Sequence, residues 1–144
     1  MARTESAARV PKPGPAPVQG MGMLIGLLFL VLGALELMPG VTVGDEPRLL
    51  FGVFAVSAAW TLAHLLTGAA AVFCTRSARL CSRFLLVGGI CYALLGIAGL
   101  LPLPRAFDDV FPMNTGGICL ALGFGTAMVI LGAGWLRRRP EGRR

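Results

Sequence analysis

The sequence predicts an all-α integral membrane protein, a four-helix antiparallel bundle with both termini in the cytoplasm. Of its 144 residues 56% are hydrophobic and 14% are charged, whereas about a quarter of a typical soluble domain is charged. Four apolar stretches are long enough to cross a bilayer, and basic residues gather on alternate connections between them. The predicted transmembrane domain spans residues 21–136, with helices at about 21–38, 49–74, 84–103 and 116–136.

The first stretch follows a proline-rich segment. Residues 1–20 contain four prolines and few large apolar side chains, which predicts a disordered cytoplasmic tail. Residues 21–38 are apolar apart from Glu36. A signal peptide is the alternative interpretation, but the run is long for one and no small-x-small cleavage site follows, so an uncleaved first helix is favoured.

The second stretch holds the one histidine of the chain. Residues 49–74 contain no Asp, Glu, Lys or Arg. As one helix they would be about 39 Å long, enough to cross the ~30 Å hydrocarbon core with some tilt. His64 lies near the middle. At helical spacing it shares a face with other polar residues, and this predicted polar stripe comprises Ser57, Thr61, His64 and Thr67.

The remaining helices are bounded by turn and charge signals. Prolines 102 and 104 stop the third helix, and Asn114 or Thr115 is expected to cap the fourth. Residues 137–144 form a predicted basic cytoplasmic tail. The two predicted tails and the second loop carry eleven of the thirteen Lys and Arg residues, so the positive-inside rule places them in the cytoplasm of a multi-pass protein of the inner (plasma) membrane.

The same charge distribution argues against nucleic acid as a partner, because the basic residues lie at helix ends and are not interleaved with aromatic residues. Membrane lipid is the expected partner. Small residues recur at helical spacing in all four predicted helices, as close helix contact in lipid requires. They favour a tight bundle and also fit a homo-oligomer or association with an unidentified membrane protein.

His64 is the sharpest candidate for function. His64, Tyr92 and Thr126 each lie nine or ten residues from a predicted cytoplasmic helix end, so one layer can hold all three about 13–15 Å into the membrane. An intramembrane histidine can relay protons or sense pH. Alternatively it is neutral and joins helices by a hydrogen bond, which we favour because no carboxylate is expected at its depth. No metal site is predicted, since no further ligand stands at coordinating spacing.

Three residues are candidates for the outer face, namely Glu36, Arg48 and Asn114. Glu36 lies two residues from the predicted outer end of its helix, so solvation at the interface is the simplest expectation. A contact with Arg48, or a place in an outer vestibule, is the alternative. Its position far above the predicted depth of His64 makes a direct pair with that residue unexpected.

The four cysteines suggest a redox hypothesis. Cys74 and Cys81 flank the basic second loop, where neighbouring arginines can lower the pKa of a thiol and make a sensor, whereas Cys91 and Cys119 are interpreted as packing residues. No Walker, G-x-G-x-x-G, H-E-x-x-H or nucleophile-elbow motif occurs. We therefore expect no enzyme activity, no catalytic residue and no cofactor.

Three segments resemble a known family: GLLFLVLGALELMPGVT, FAVSAAWTLAHLLTGAAAV and FPMNTGGICLALGFGTAMVILG. The chain is similar over residues 26–132 to an uncharacterised, mostly actinobacterial family of four-helix membrane proteins, domain of unknown function 4383. His64 with Gly68, and Pro112 with Asn114 and Thr115, match the motifs of that family. The resemblance implies an aspartate and a histidine early in the fourth helix, where this chain has Gly117 and Ala121. It implies the fold and no activity.

Three functions remain open from sequence. The leading hypothesis is a structural or accessory membrane protein that self-associates. The second is a transporter or channel component that uses the polar stripe around His64 as its path. The third is a thiol redox sensor at the cytoplasmic face.

Overall fold

The computed structural model describes residues 16–44, 48–102 and 104–137. Most of the two predicted tails, residues 1–15 and 138–144, therefore lies outside the described residues. The described chain is mostly helical, with one small sheet. Its elements are α1 (Pro17–Glu36), β1 (Thr42–Val43), β2 (Arg48–Leu50), β3 (Phe54–Val56), α2 (Ala58–Cys74), α3 (Ala78–Ala98), α4 (Arg105–Val110) and α5 (Thr115–Arg137).

The helix α1 begins four residues earlier than predicted, inside the proline-rich segment. Pro17 occupies the first helical position, where its fixed φ suits a helix and its missing N–H costs nothing. The side chain of Gln19 accepts a hydrogen bond from the Ala16 N–H at 2.7 Å and donates one to the Thr75 carbonyl oxygen at 2.6 Å. The start of α1 is thereby joined to the connection between α2 and α3.

The prediction of one long helix over residues 49–74 is wrong. Arg48–Leu50 and Phe54–Val56 pair as antiparallel strands, and Thr42–Val43 pairs with the other edge of β2. Phe51 and Gly52 turn the hairpin with φ of 51° and 72°. Positive φ at both central residues is the requirement of a type I′ turn, which glycine meets readily. The helix α2 has 17 residues and is about 26 Å long, not 39 Å.

The start of α2 is set by Ser57. Its side chain accepts a hydrogen bond from the Trp60 N–H at 3.2 Å, as an N-cap does. A buried strand and a helix cannot be distinguished within an apolar run that has no charges. In this run Gly52 and Ser57 are the two signals that mark the division.

The connection between α2 and α3 is shorter than the predicted second loop. The helix α3 begins at Ala78, six residues before the predicted start, so Arg79 and Arg83 lie on its first turns and are exposed. At this level long basic side chains can extend from a helix to the membrane surface. We call this end of the bundle, with Arg76, Arg79, Arg83 and Arg137, the arginine end, and the opposite end, with the sheet, the hairpin end.

The helices pack chiefly in two pairs, α1 with α2 and α3 with α5. A Cβ on Gly68 would lie 2.8 Å from the Gly26 carbonyl oxygen, and one on Gly89 would lie 2.8 Å from that of Gly125. Only residues without a side chain allow backbones to approach so closely. Phe29, fully buried, lies in the core that both pairs share.

In each helix pair, the contacts run in opposite order along the two helices. Gly22 contacts Thr75 near the arginine end, and Gly33 contacts Leu65 near the hairpin end. In the second pair Gly132 lies against Leu86, and Gly96 lies against Leu122.

Large apolar side chains cover the outside of the helices, and among them Leu24, Leu62, Val87 and Ile130 are each more than 45% exposed. Within the described residues α1, α3 and α5 are long and apolar enough to cross a membrane, and α2 is a shorter apolar helix. Length and surface chemistry therefore agree with a membrane protein.

The contact at Gly125 provides a test of this packing. A Cβ there would lie 2.5 Å from the Ala93 backbone nitrogen, so Gly125→Ala must separate α5 from α3. We expect it to lower the free energy of unfolding by about 1–3 kcal/mol, measured by denaturant titration in mixed micelles. Gly123→Ala is the matched control, because nothing lies within 4 Å of its Cβ position, and we expect a change within about 0.5 kcal/mol. Equal losses in both variants would contradict the glycine contact.

Candidate functional site

A buried pair of ionisable residues lies near the hairpin end. The Oε1 atom of Glu36 is 2.8 Å from Nδ1 of His64, and the two residues are 6% and 5% exposed. The expectation that Glu36 would lie far from His64 is wrong. Since α2 begins at Ala58, His64 is less than two turns from the start of its helix, beside the last residue of α1.

Aromatic rings hold the imidazole of His64. The ring of Phe29 is stacked at 5.7 Å between centroids and that of Trp60 at 5.6 Å, with Tyr92 at 6.4 Å. Phe29 also contacts Tyr92 at 4.9 Å and Phe124 at 5.0 Å. The ring of Phe29, on α1, therefore contacts side chains from α2, α3 and α5.

Two polar atoms at this site have no hydrogen-bond partner within 3.5 Å among the described residues. They are the second carboxylate oxygen of Glu36, Oε2, and the hydroxyl of Tyr92, although the Thr67 side chain lies near that hydroxyl. Burying such groups without a partner costs free energy, most of all for a charged oxygen. Something outside the described chain, such as water or a ligand, would relieve that cost.

A small cavity adjoins these two residues. Its volume is about 30 Å³, which leaves room for about two water molecules. Its lining combines one carboxylate, one imidazole and three aromatic rings with apolar side chains. The lining residues are Leu32, Glu36, Leu50, Phe54, Ala55, Trp60, His64, Tyr92, Pro112, Gly117, Leu120 and Ala121.

The predicted polar stripe does not form a continuous line. Ser57 precedes α2 and donates its hydroxyl hydrogen to the Val110 carbonyl oxygen at 2.8 Å. Thr61 donates to the Ser57 carbonyl oxygen at 3.1 Å, and Thr67 is half-buried. Beyond His64 the buried residues of α2 are Gly68, Ala71 and Cys74, so this face is apolar toward the arginine end.

The predicted layer of three polar residues is also incomplete. Tyr92 is buried beside His64, but Thr126 is exposed. The buried residues of α5 are Ala121, Gly125, Met128 and Gly132, and Thr126 follows one of them directly, so its side chain faces away from the bundle.

Asn114 fastens the hairpin to α5. Its Oδ1 accepts from the Gly117 N–H at 2.9 Å, which confirms the predicted cap, and its Nδ2 donates to the Val53 carbonyl oxygen at 2.6 Å. The indole of Trp60 donates to the Pro112 carbonyl oxygen at 3.1 Å. Arg48 is exposed on β2, and the described residues show no ion pair between it and Glu36.

The cysteines do not form an accessible thiol site. Cys74 and Cys81 are buried, and the Cys81 thiol donates to the Val18 carbonyl oxygen at 3.2 Å. Cys91 and Cys119 are exposed on the apolar surface, so the expectation that they pack inside the bundle is wrong. No cluster of three or more His, Cys, Asp or Glu residues occurs within the described ranges.

The two positions at which this chain departs from the motif that it resembles both line the cavity. They are Gly117 and Ala121.

Comparison with known proteins gives one finding. A sequence model of the family described as Domain of unknown function (DUF4383) matches residues 19–134. No curated protein and no solved structure matches the chain.

The buried pair can be tested by a double-mutant cycle. Glu36→Met alone or His64→Phe alone leaves a buried polar partner unpaired, and we expect each to lower the free energy of unfolding by about 3 kcal/mol. The double variant replaces both partners by apolar side chains, so its loss should be well below the sum of the two. Unfolding in mixed micelles measures all four corners of the cycle, and additive losses would show that the two residues are not coupled.

Asn114 can be separated into its two roles. Asn114→Ala removes the helix cap and the bond to the hairpin, and we expect a loss of about 1 kcal/mol for the cap. Asn114→Asp keeps the accepting oxygen and places a negative charge at the start of α5, which is favourable there, but it cannot donate to Val53. Hydrogen exchange in residues 48–56 should accelerate in both variants, and more in the alanine variant, because aspartate keeps the oxygen that accepts from the Ala55 N–H at 3.4 Å. Of the two, the alanine variant should also unfold more easily. Unchanged exchange would mean that the hairpin does not depend on Asn114.

Proposed function

The chain belongs to the family described as Domain of unknown function (DUF4383), and we propose that it is a structural or accessory protein of the inner membrane, without enzyme activity. In this role the Glu36–His64 pair links α1 to α2 inside a four-helix bundle. The observation that supports the proposal is the position of that pair. It joins two helices at one end, and the adjoining interior is closed by packed side chains and glycine contacts.

We propose an antiparallel arrangement with both termini in the cytoplasm. The opposite order of contacts in each helix pair supports the first part. The arginine residues of the arginine end, on the connection between α2 and α3, on the first turns of α3 and at the end of α5, support the second part, because basic residues favour the cytoplasmic side. The hairpin end then faces away from the cytoplasm. The proposed partners of the protein are membrane lipid and either a second copy or another membrane protein. The apolar outer faces of the helices can contact them.

The transport hypothesis has support from the cavity but not from the rest of α2. A transporter needs a polar route that continues past its binding site. From His64 to the arginine end, α2 buries only glycine, alanine and cysteine, and Gly26 and Gly68 bring the two backbones into contact there. The redox hypothesis loses support because both thiols near the arginine end are buried.

Water access distinguishes the structural role from transport. In a background in which alanine replaces the native cysteines, single cysteines are placed at Val43, Thr67 and Ser77, and each is challenged with a membrane-impermeant thiol reagent. Val43 and Ser77 are exposed at opposite ends, whereas Thr67 is half-buried between them. We expect Val43→Cys to react in intact cells, Ser77→Cys to react only in inverted vesicles, and Thr67→Cys to react in neither.

A cysteine at the apolar surface position Leu62 serves as the control for reagent that enters lipid. Reaction at position 67 above that control would reveal a water-filled route and favour the transport hypothesis. Reaction of Val43→Cys only in inverted vesicles would reverse the proposed orientation.

A further inference from the structure

We propose that the cavity beside Glu36, His64 and Tyr92 is a binding site for a small hydrogen-bond-donating cation of the ammonium class. The proposal goes beyond the structural role and does not rest on it, since a bundle can bind an ion with or without serving as an accessory protein. It rests on a cavity of about 30 Å³ and on the two unpartnered polar atoms of its lining residues.

The carboxylate of Glu36 selects a donor. Its Oε1 is occupied by His64 at 2.8 Å, and its buried Oε2 has no partner within the described chain. An ionised carboxylate only accepts hydrogen bonds, so a hydrogen-bonding ligand that meets Oε2 has to donate one. The hydroxyl of Tyr92, the other unpartnered group, can accept a second bond from the same ligand.

The charge of the lining selects a cation. Glu36 is the one acidic residue among the lining residues, and no Lys or Arg lines the cavity. A carboxylate oxygen buried in apolar surroundings is costly unless a positive charge or a hydrogen-bond donor meets it, and Oε2 of Glu36 has no donor among the described residues. Aromatic rings of Phe54, Trp60 and Tyr92 also line the cavity, and the faces of such rings attract cations.

The size of the cavity and the small number of oxygen atoms that line it limit which cations it can bind. A volume of about 30 Å³ is enough for a water-sized ion. Divalent metals would need more ligands than the one carboxylate and one imidazole that line it. A potassium ion of similar size binds through the same oxygen lone pairs, but it needs more oxygen ligands than the Glu36 carboxylate and the Tyr92 hydroxyl supply in this mostly apolar lining.

Trp60 provides a direct signal for binding. It lines the cavity, and the chain contains one other tryptophan, Trp135, which Trp135→Phe removes. The full chain with this change, purified in lipid nanodiscs, is titrated with ammonium chloride at neutral pH, and in parallel with potassium chloride at the same ionic strength. We expect a saturable change in Trp60 fluorescence and a higher unfolding temperature with ammonium, and neither with potassium.

Three further variants identify the site. Glu36→Gln should abolish the ammonium response, since it removes the negative charge while keeping the shape. Tyr92→Phe keeps the ring and removes one acceptor, so the apparent affinity should fall roughly five- to tenfold. Ser82→Ala is the matched control, because Ser82 is a buried polar residue that donates to the Gly132 carbonyl oxygen at 3.1 Å, outside the cavity lining, and its response should be unchanged.

Each contrary outcome overturns the proposal. Equal responses to ammonium and potassium would show an effect of ionic strength, and a response that survives in Tyr92→Phe at full affinity would place the ion elsewhere. No response to either salt would mean that the cavity holds water only. If Glu36→Gln does not fold, as judged by its elution and circular dichroism, the shift in affinity of Tyr92→Phe decides the result.

Discussion

The helices of this protein are held together where glycine leaves the backbone bare. Lipid offers no hydrophobic gain when one apolar helix packs against another, so close contact has to supply the association free energy. A Cβ at Gly26 would lie 3.0 Å from the Gly68 carbonyl oxygen. The same contact sets the separation of α1 and α2 at which the Glu36 carboxylate reaches His64. The buried pair therefore depends on one glycine about three turns from Glu36 and on another about one turn from His64.

The hairpin supplies the second constraint. Residues that would have lengthened α2 form two strands instead, which brings His64 to the end of the bundle and places Leu50 and Phe54 against the cavity. Side chains of Ser57 and Trp60 then bond to the carbonyl oxygens of Val110 and Pro112. The segments that line the cavity are therefore joined by bonds from side chains to backbone carbonyl oxygens, and the surrounding structure keeps the unsatisfied oxygen of Glu36 in place.

Much of the fold follows from composition and periodicity, and the site does not. The helix α5, with a cap at Asn114 and a basic end, was predicted to within one residue at each end. The structure of residues 49–74 was not predicted, because the whole stretch is apolar and only Gly52 and Ser57 mark the change from strand to helix. The assumed start of the second helix at residue 49 placed His64 near the middle of a long helix and far from Glu36, whereas α2 begins at Ala58. Depth counted from the cytoplasmic helix ends takes no account of helix rotation, which leaves Thr126 exposed.

The unequal lengths of the helices have a consequence for the surrounding bilayer. The 17 residues of α2 rise about 26 Å, whereas the 23 residues of α5 rise about 35 Å. A hydrocarbon core is ~30 Å thick, which is more than the length of α2 and less than the length of α5. Lipid next to α2 has to compress while α5 tilts or extends beyond the core, at a cost of a fraction of a kcal/mol for each ångström of mismatch. The two sides of the bundle thus match different bilayer thicknesses, so the protein fits a deformable membrane better than a stiff one.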